Sequence, residues 1–100
     1  MILVIDVGNT NMTFGVFDGE LLKVTFRLTT RTPRTSDEYG LVIADLLGKN
    51  DIRPEMLQGS VISSVVPKVM HALQGAVLRY TATRPLIVGP GVKTGIRITT

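Results

Sequence analysis

Residues 2–11 constrain this chain more than any other stretch. Ile2, Leu3, Val4 and Ile5 form an uninterrupted apolar run, followed by the carboxylate of Asp6, then Val7 and a Gly8-Asn9-Thr10-Asn11 turn. The chain re-enters as a second apolar run, Met12 to Phe17. Runs of this kind bounded by Gly and Asn read as two strands joined by a hairpin. The first strand is too apolar for the edge of a sheet, so it is expected at the centre. Its polar end then falls where open α/β folds hold their ligands. Two readings of the turn stand side by side. Asn, Asp and Gly are ordinary turn residues. The same residues also make an anion cradle: successive N–H groups, the Thr10 and Thr13 hydroxyls and the Asn9 and Asn11 amides can surround a phosphate, and Gly8 offers no side chain to keep one away from the backbone. Asp6, where the strand leaves the core, can meet water, a metal or a ligand.

The chain has 100 residues, enough for one domain with a modest core. A hydrophobic share of 44% argues against disorder. No apolar run approaches the ~20 residues of a membrane span, so no membrane association is expected. The first strand is short, carries Asp6 and lacks the basic flank of a signal peptide. With no cysteine, a disulfide framework, a thiolate metal site and a thiol nucleophile are all excluded, which fits a cytoplasmic protein. The net charge of +3 is densest at Arg27, Arg31 and Arg34. Nucleic-acid proteins show a tighter basic stripe with aromatics for stacking. The charge here better suits a small anionic ligand, and no nucleic-acid partner is expected.

Asp18-Gly19-Glu20 is a second hairpin signal, and a third strand follows over Leu21–Thr29. After a loop broken by Pro33, Thr35 and Glu38 have the spacing of a capping box. Tyr39, Val42, Ile43, Leu46 and Leu47 then recur on one face of a helix that Gly48 is placed to end. A connector with a turn at Pro54 leads to a strand over residues 59–66. Pro67 suits the first residue of a helix, and Met70, Leu73, Val77 and Tyr80 share the apolar face of a helix over residues 68–81. His71 falls on its polar side as a surface residue. Residues 85–88 form a fifth strand, running into the Gly89-Pro90-Gly91 loop, Lys93-Thr94-Gly95 and an extended Ile96-Arg97-Ile98. The predicted order is β-β-β-α-β-α-β, an α/β chain with a mixed sheet whose first three strands are antiparallel. That is the ribonuclease-H-like arrangement.

Four motifs in register carry a resemblance: Asp6-Val7-Gly8-Asn9-Thr10-Asn11, Thr35-Ser36-Asp37-Glu38-Tyr39, Ser63-Ser64-Val65-Val66-Pro67 and Gly89-Pro90-Gly91-Val92-Lys93-Thr94-Gly95. Together they resemble the type III pantothenate kinase family, the Bvg accessory factor-like group, over essentially the whole chain. The resemblance implies an actin-like ATPase fold of two ribonuclease-H-like lobes, with ATP in the cleft between them. It implies transfer of the ATP γ-phosphate to the hydroxyl of pantothenate, the first step toward coenzyme A. It places Asp6, Val7, Gly8, Asn9, Thr10, Asn11, Met12 and Thr13 at the ATP phosphates, with Asp6 holding Mg2+ through water. A monovalent cation, K+ or NH4+, and a homodimer are implied as well. The family's catalytic base lies in a Gly-Ala-Asp-Arg segment beyond Thr100, so no residue of this chain is expected to be the base. Residues 1–100 are accordingly expected to be the N-terminal lobe of a two-lobe kinase, with the second lobe absent.

Two other classes compete. Ribonuclease-H-like nucleases also begin with an Asp on the first strand, but two-metal hydrolysis needs further carboxylates, and the fourth strand offers Ser63 and Ser64 instead. A transcriptional accessory protein of the same family is the alternative to an enzyme. Neither predicted helix is notably basic, as a DNA-reading helix would be. Asp37, Glu38, Asp45 and Asp51 sit on or beside the first helix and read as caps and solvated charges.

Overall fold

Alternation along the first strand decides the layering. In β1 (Ile2–Val7), Leu3, Ile5 and Val7 point to one face and are almost completely buried, while Asp6 on the opposite face is exposed. The computed structural model describes residues 1–89. The sequence features from Pro90 onward, including the Lys93-Thr94-Gly95 segment and the extended Ile96–Ile98 piece, lie outside the described residues. The remaining strands are β2 (Asn11–Asp18), β3 (Leu21–Thr29), β4 (Gly59–Ser64) and β5 (Leu86–Val88). They form one sheet in the order β3-β2-β1-β4-β5. β1 is central, antiparallel to β2 and parallel to β4, and β4 is parallel to β5. The helices α1 (Ser36–Lys49) and α2 (Met70–Thr81) complete the predicted β-β-β-α-β-α-β order.

Both helices pack on the same face. Leu3, Ile5 and Val7 of β1 and Met12, Phe14 and Val16 of β2 share one core with Tyr39, Ile43 and Leu47 of α1 and Leu73, Ala76 and Val77 of α2. Phe14 stacks on Phe26 of β3, with ring centroids 4.6 Å apart. Burying a side chain such as Leu or Phe contributes about 1.5–3 kcal/mol, so this core dominates the stability of the described residues. α1 and α2 approach closely because Gly40 has no side chain: a Cβ there would lie 2.1 Å from the Tyr80 ring. Asp37 clips the same pair of helices, accepting from Arg79 at 2.9 Å and from the Tyr80 hydroxyl at 3.2 Å. Partial burial and then the neighbouring Asp37 charge and hydrogen bond push the Tyr80 phenol up, with Arg79 pulling the other way.

Several boundaries differ from the sequence reading, each for a local reason. The β2–β3 loop residues are Gly19 and Glu20, since Asp18 pairs with Leu21. Gly19 has φ +63°, as a hairpin with glycine at its first loop position requires. The capping box of α1 is present, with Glu38 N–H donating to the Thr35 hydroxyl and Thr35 N–H to the Glu38 carboxylate. Gly48, however, does not end α1. The helix continues to Lys49, and Asp51 takes the left-handed position at φ 57°. Its N–H reaches the Gly48 carbonyl and that of Ile52 the Leu47 carbonyl, the two bonds of a Schellman closure. β4 stops at Ser64, two residues early, because the Ser64 hydroxyl accepts from Val66 N–H and draws the chain out of the ladder. Pro67 opens a 3-10 turn over Pro67–Val69 that precedes α2.

Candidate phosphate-binding site

The β1–β2 turn projects from the centre of the sheet. Gly8 N–H donates to the Asn11 carbonyl at 2.9 Å and closes it. The chain after β3 braces it from behind: Thr30 N–H donates to the Thr10 carbonyl at 2.8 Å, and the Thr30 hydroxyl donates to the Gly8 carbonyl at 2.8 Å. Thr30 is buried, so the brace is shielded from water. The backbone N–H groups of Asn9 and Thr10 donate to no other described residue. Asn9, Thr10 and Asn11 are exposed. The result is a rigidly held turn with free donors at its tip, and these are the elements of an anion-binding concavity.

Asp6, Gly8, Asn9, Thr10, Asn11, Thr13 and Arg27 line one cavity of about 320 Å³. Strand register explains why. Asp6 pairs with Thr13 on β2 and with Ser63 on β4, and Thr13 pairs with Arg27 on β3. Cross-strand partners share a face, so Arg27, Thr13, Asp6 and Ser63 form a polar row on the face away from the helices. Asp6 and Arg27 are two strands apart, roughly 10 Å at ordinary strand spacing. Among the described residues, Asp6 is the only carboxylate lining the cavity.

Six of the eight residues expected at the phosphates meet there. Val7 and Met12 do not, because their side chains are buried in the core at 1% and 0% exposure. They have only backbone to offer. Gly8 has a part in the turn itself as well. Its N–H is already bonded, and a Cβ would lie 3.2 Å from the Asn11 carbonyl oxygen, so turn closure already accounts for glycine there. Arg27 is the residue that reading along the chain missed as part of this site. A two-residue loop by itself would set Phe26 opposite Thr13; the register shift at Val16/Phe17 moves Arg27 into that place and onto the face of Asp6, and no residue along β3 signals it. Among the described residues, no group of three or more His, Cys, Asp or Glu side chains converges. Ser63, in register with Asp6 where a nuclease would need another acid, removes the two-metal hydrolytic reading.

The family model described as type III pantothenate kinase matches residues 2–100. The chain belongs to this family. A type III pantothenate kinase of Agathobacter rectalis is 53% identical over 100 residues, covering all of this chain and 38% of the relative. A type III pantothenate kinase of Listeria welshimeri is 50% identical over 98 residues, covering 98% of this chain and 38% of the relative. The chain thus spans less than two-fifths of the length of these family members. Among solved structures, the ROK hexokinase of Thermus thermophilus superposes with a TM-score of 0.61 at 15% identity, covering 88% of this chain and 33% of the hexokinase. RuvC from the same organism gives 0.53 at 16% identity, covering 89% of this chain and 61% of RuvC. At such low identity these two show the fold alone, which is the expected actin-like, ribonuclease-H-like architecture.

Proposed function

We propose that residues 1–100 are the phosphate-binding lobe of a two-lobe type III pantothenate kinase, which transfers the γ-phosphate of ATP to the hydroxyl of pantothenate. The observation that carries this reading is the turn at Gly8–Asn11, braced by Thr30 and opening beside Asp6 at the end of the central strand, in a chain of this family. Phosphoryl transfer asks mainly for positioning and charge stabilisation. The Asn9 and Thr10 N–H groups and the Thr10 and Thr13 hydroxyls orient phosphate oxygens. Arg27 adds a fixed positive charge across the cavity from Asp6. In the transfer, the pantothenate oxygen bonds to the γ-phosphorus, the bond to the bridging β–γ oxygen breaks, and ADP leaves. The hydroxyl proton goes to a base outside this chain.

The donor set fits magnesium, which keeps several of its waters and is held by one or two carboxylates together with substrate phosphates. Asp6 would hold it, flanked by the hydroxyls of Thr13 and Ser63, and the ion would neutralise phosphate charge. A monovalent cation (K+ or NH4+), a homodimer and a cytoplasmic location complete the proposal by family resemblance. The test is a coupled assay for ADP release by the full-length protein with ATP and magnesium. ADP release that depends on pantothenate is expected; its absence, with pantothenate and both monovalent cations supplied, would overturn the assignment.

A further inference from the structure

A second cavity, of about 200 Å³, lies on the helix side of the Thr30 brace. Arg31, Arg34 and Lys68 all line it, together with Thr30, Thr32 and Tyr39. Among the described residues no carboxylate does. The ion pairs among the described residues, Lys49–Asp45, Arg53–Glu55 and Arg79–Asp37, use other cations. Of the nearby acids, Asp37 is held by Arg79 and Tyr80, and Glu38 caps α1.

Three like charges around one small cavity repel one another unless an anion sits between them. Arg34 is already fixed. Its Nη1 donates to the Thr29 carbonyl, and its guanidinium lies 5.9 Å from the centroid of the Tyr39 ring. A guanidinium has five N–H donors, so others remain for a ligand. Lys68 stands in the 3-10 turn leading into α2, and Val69 and Ala72 from the start of that helix complete the wall. The N-cap of α2 makes no side-chain hydrogen bond, and its first turn contains no acidic residue. The 3-10 turn before it takes up the Val69 and Met70 N–H groups on the Val66 and Pro67 carbonyls, so what this end brings to the cavity is the Lys68 charge and no acid.

We infer that this cavity binds a small organic phosphate, with its phosphate dianion on Arg31, Arg34 and Lys68 and its carbon portion against Pro33, Val69 and Ala72. The cavity is below the ~300–1,000 Å³ of drug-sized sites, which limits the ligand to a phosphate group and a short chain. The inference does not rest on the proposed kinase activity. This cavity and the one beside Asp6 share no lining residue.

The full-length protein should be titrated with inorganic phosphate and with butyl phosphate at physiological salt, following backbone amide NMR shifts. Saturable shifts at Thr32, Val69 and Ala72 are expected, with butyl phosphate binding more tightly than inorganic phosphate. Arg31→Gln and Lys68→Gln alter exposed side chains and should each weaken binding about tenfold, the scale of one charged hydrogen bond, without lowering the melting temperature. Shifts confined to Gly8–Thr13, no saturation, or unchanged binding in both variants would overturn the site. Equal affinity for the two phosphates would overturn the organic ligand. If pantothenate kinase activity is absent while these shifts appear, the cavity assignment stands and the kinase reading fails.

Discussion

Asp6 illustrates how position on a strand changes what a residue means. Its neighbours Ile5 and Val7 are among the most buried side chains, yet the two-residue period of β1 sends Asp6 to the other face, into the cavity with Thr13 and Arg27. An exposed carboxylate contributes little to folding, so Asp6→Asn should leave the melting temperature of the full-length protein nearly unchanged. The same change removes a charge that would hold a cation against the transferring phosphate. Losses of this kind typically reach about 10²–10³-fold in turnover. Steady-state kinetics at several magnesium concentrations check it, and near-wild-type turnover at saturating ATP would remove Asp6 from the mechanism.

At the scale of elements, the contact between α1 and α2 is the most sensitive to a single atom. Gly40→Ala sets two effects against each other. Alanine is the better helix former by about 1 kcal/mol, whereas overpacking a close contact costs about 1–3 kcal/mol. With the new Cβ 2.1 Å from the Tyr80 ring, overpacking wins, and the variant is expected to be less stable. A double-mutant cycle separates the terms. In a Tyr80→Ala background Gly40→Ala should cost much less or become favourable. An unchanged cost there would place the role of Gly40 elsewhere. Gly75 is a milder case at the same interface, where a Cβ would lie 2.9 Å from the Ser36 hydroxyl. Hydroxyls also fasten the far end of α2, with Thr81 bonded to Thr83 at 2.7 Å and Thr83 to Ser60 of β4 at 2.8 Å.

For the whole molecule, helices cover one face of the described sheet and the Gly8–Asn11 turn opens on the other. On the function proposed above, a second lobe closes over the nucleotide. The 100-residue chain alone should therefore not phosphorylate pantothenate. It carries the proposed phosphate turn, while the base that takes the hydroxyl proton is expected beyond Thr100, and such proton transfer is worth about 10²–10⁴-fold. Leu86 and Ile87 are exposed on β5, the edge strand of the described sheet, and exposed apolar edges promote pairing between chains. The isolated chain is expected to self-associate in analytical ultracentrifugation and to release no ADP above background. Pantothenate-dependent turnover by the isolated chain would mean that the base lies within residues 1–100.

Local patterns were enough for the elements and their order. The apolar run from Ile2 to Ile5 marked a central strand because burial on both faces leaves that composition and no other. The Thr35–Glu38 spacing marked the start of α1 because both capping bonds are local. Whatever depends on residues distant in sequence had to wait for the fold. Arg27 joins Asp6 only through two successive strand pairings, and nothing along β3 distinguishes it from a solvated arginine. Met12 and Val7 looked like members of the turn, but pleat parity buries them. Gly48 looked like the end of α1, but Asn50 is the cap and Asp51, just past it, takes the left-handed place in the Schellman closure. The brace from Thr30 to Gly8 and Thr10 crosses about twenty residues of chain. Hydrogen-bonding capacity can be read from composition, but which groups meet is decided when the sheet brings its strands into register.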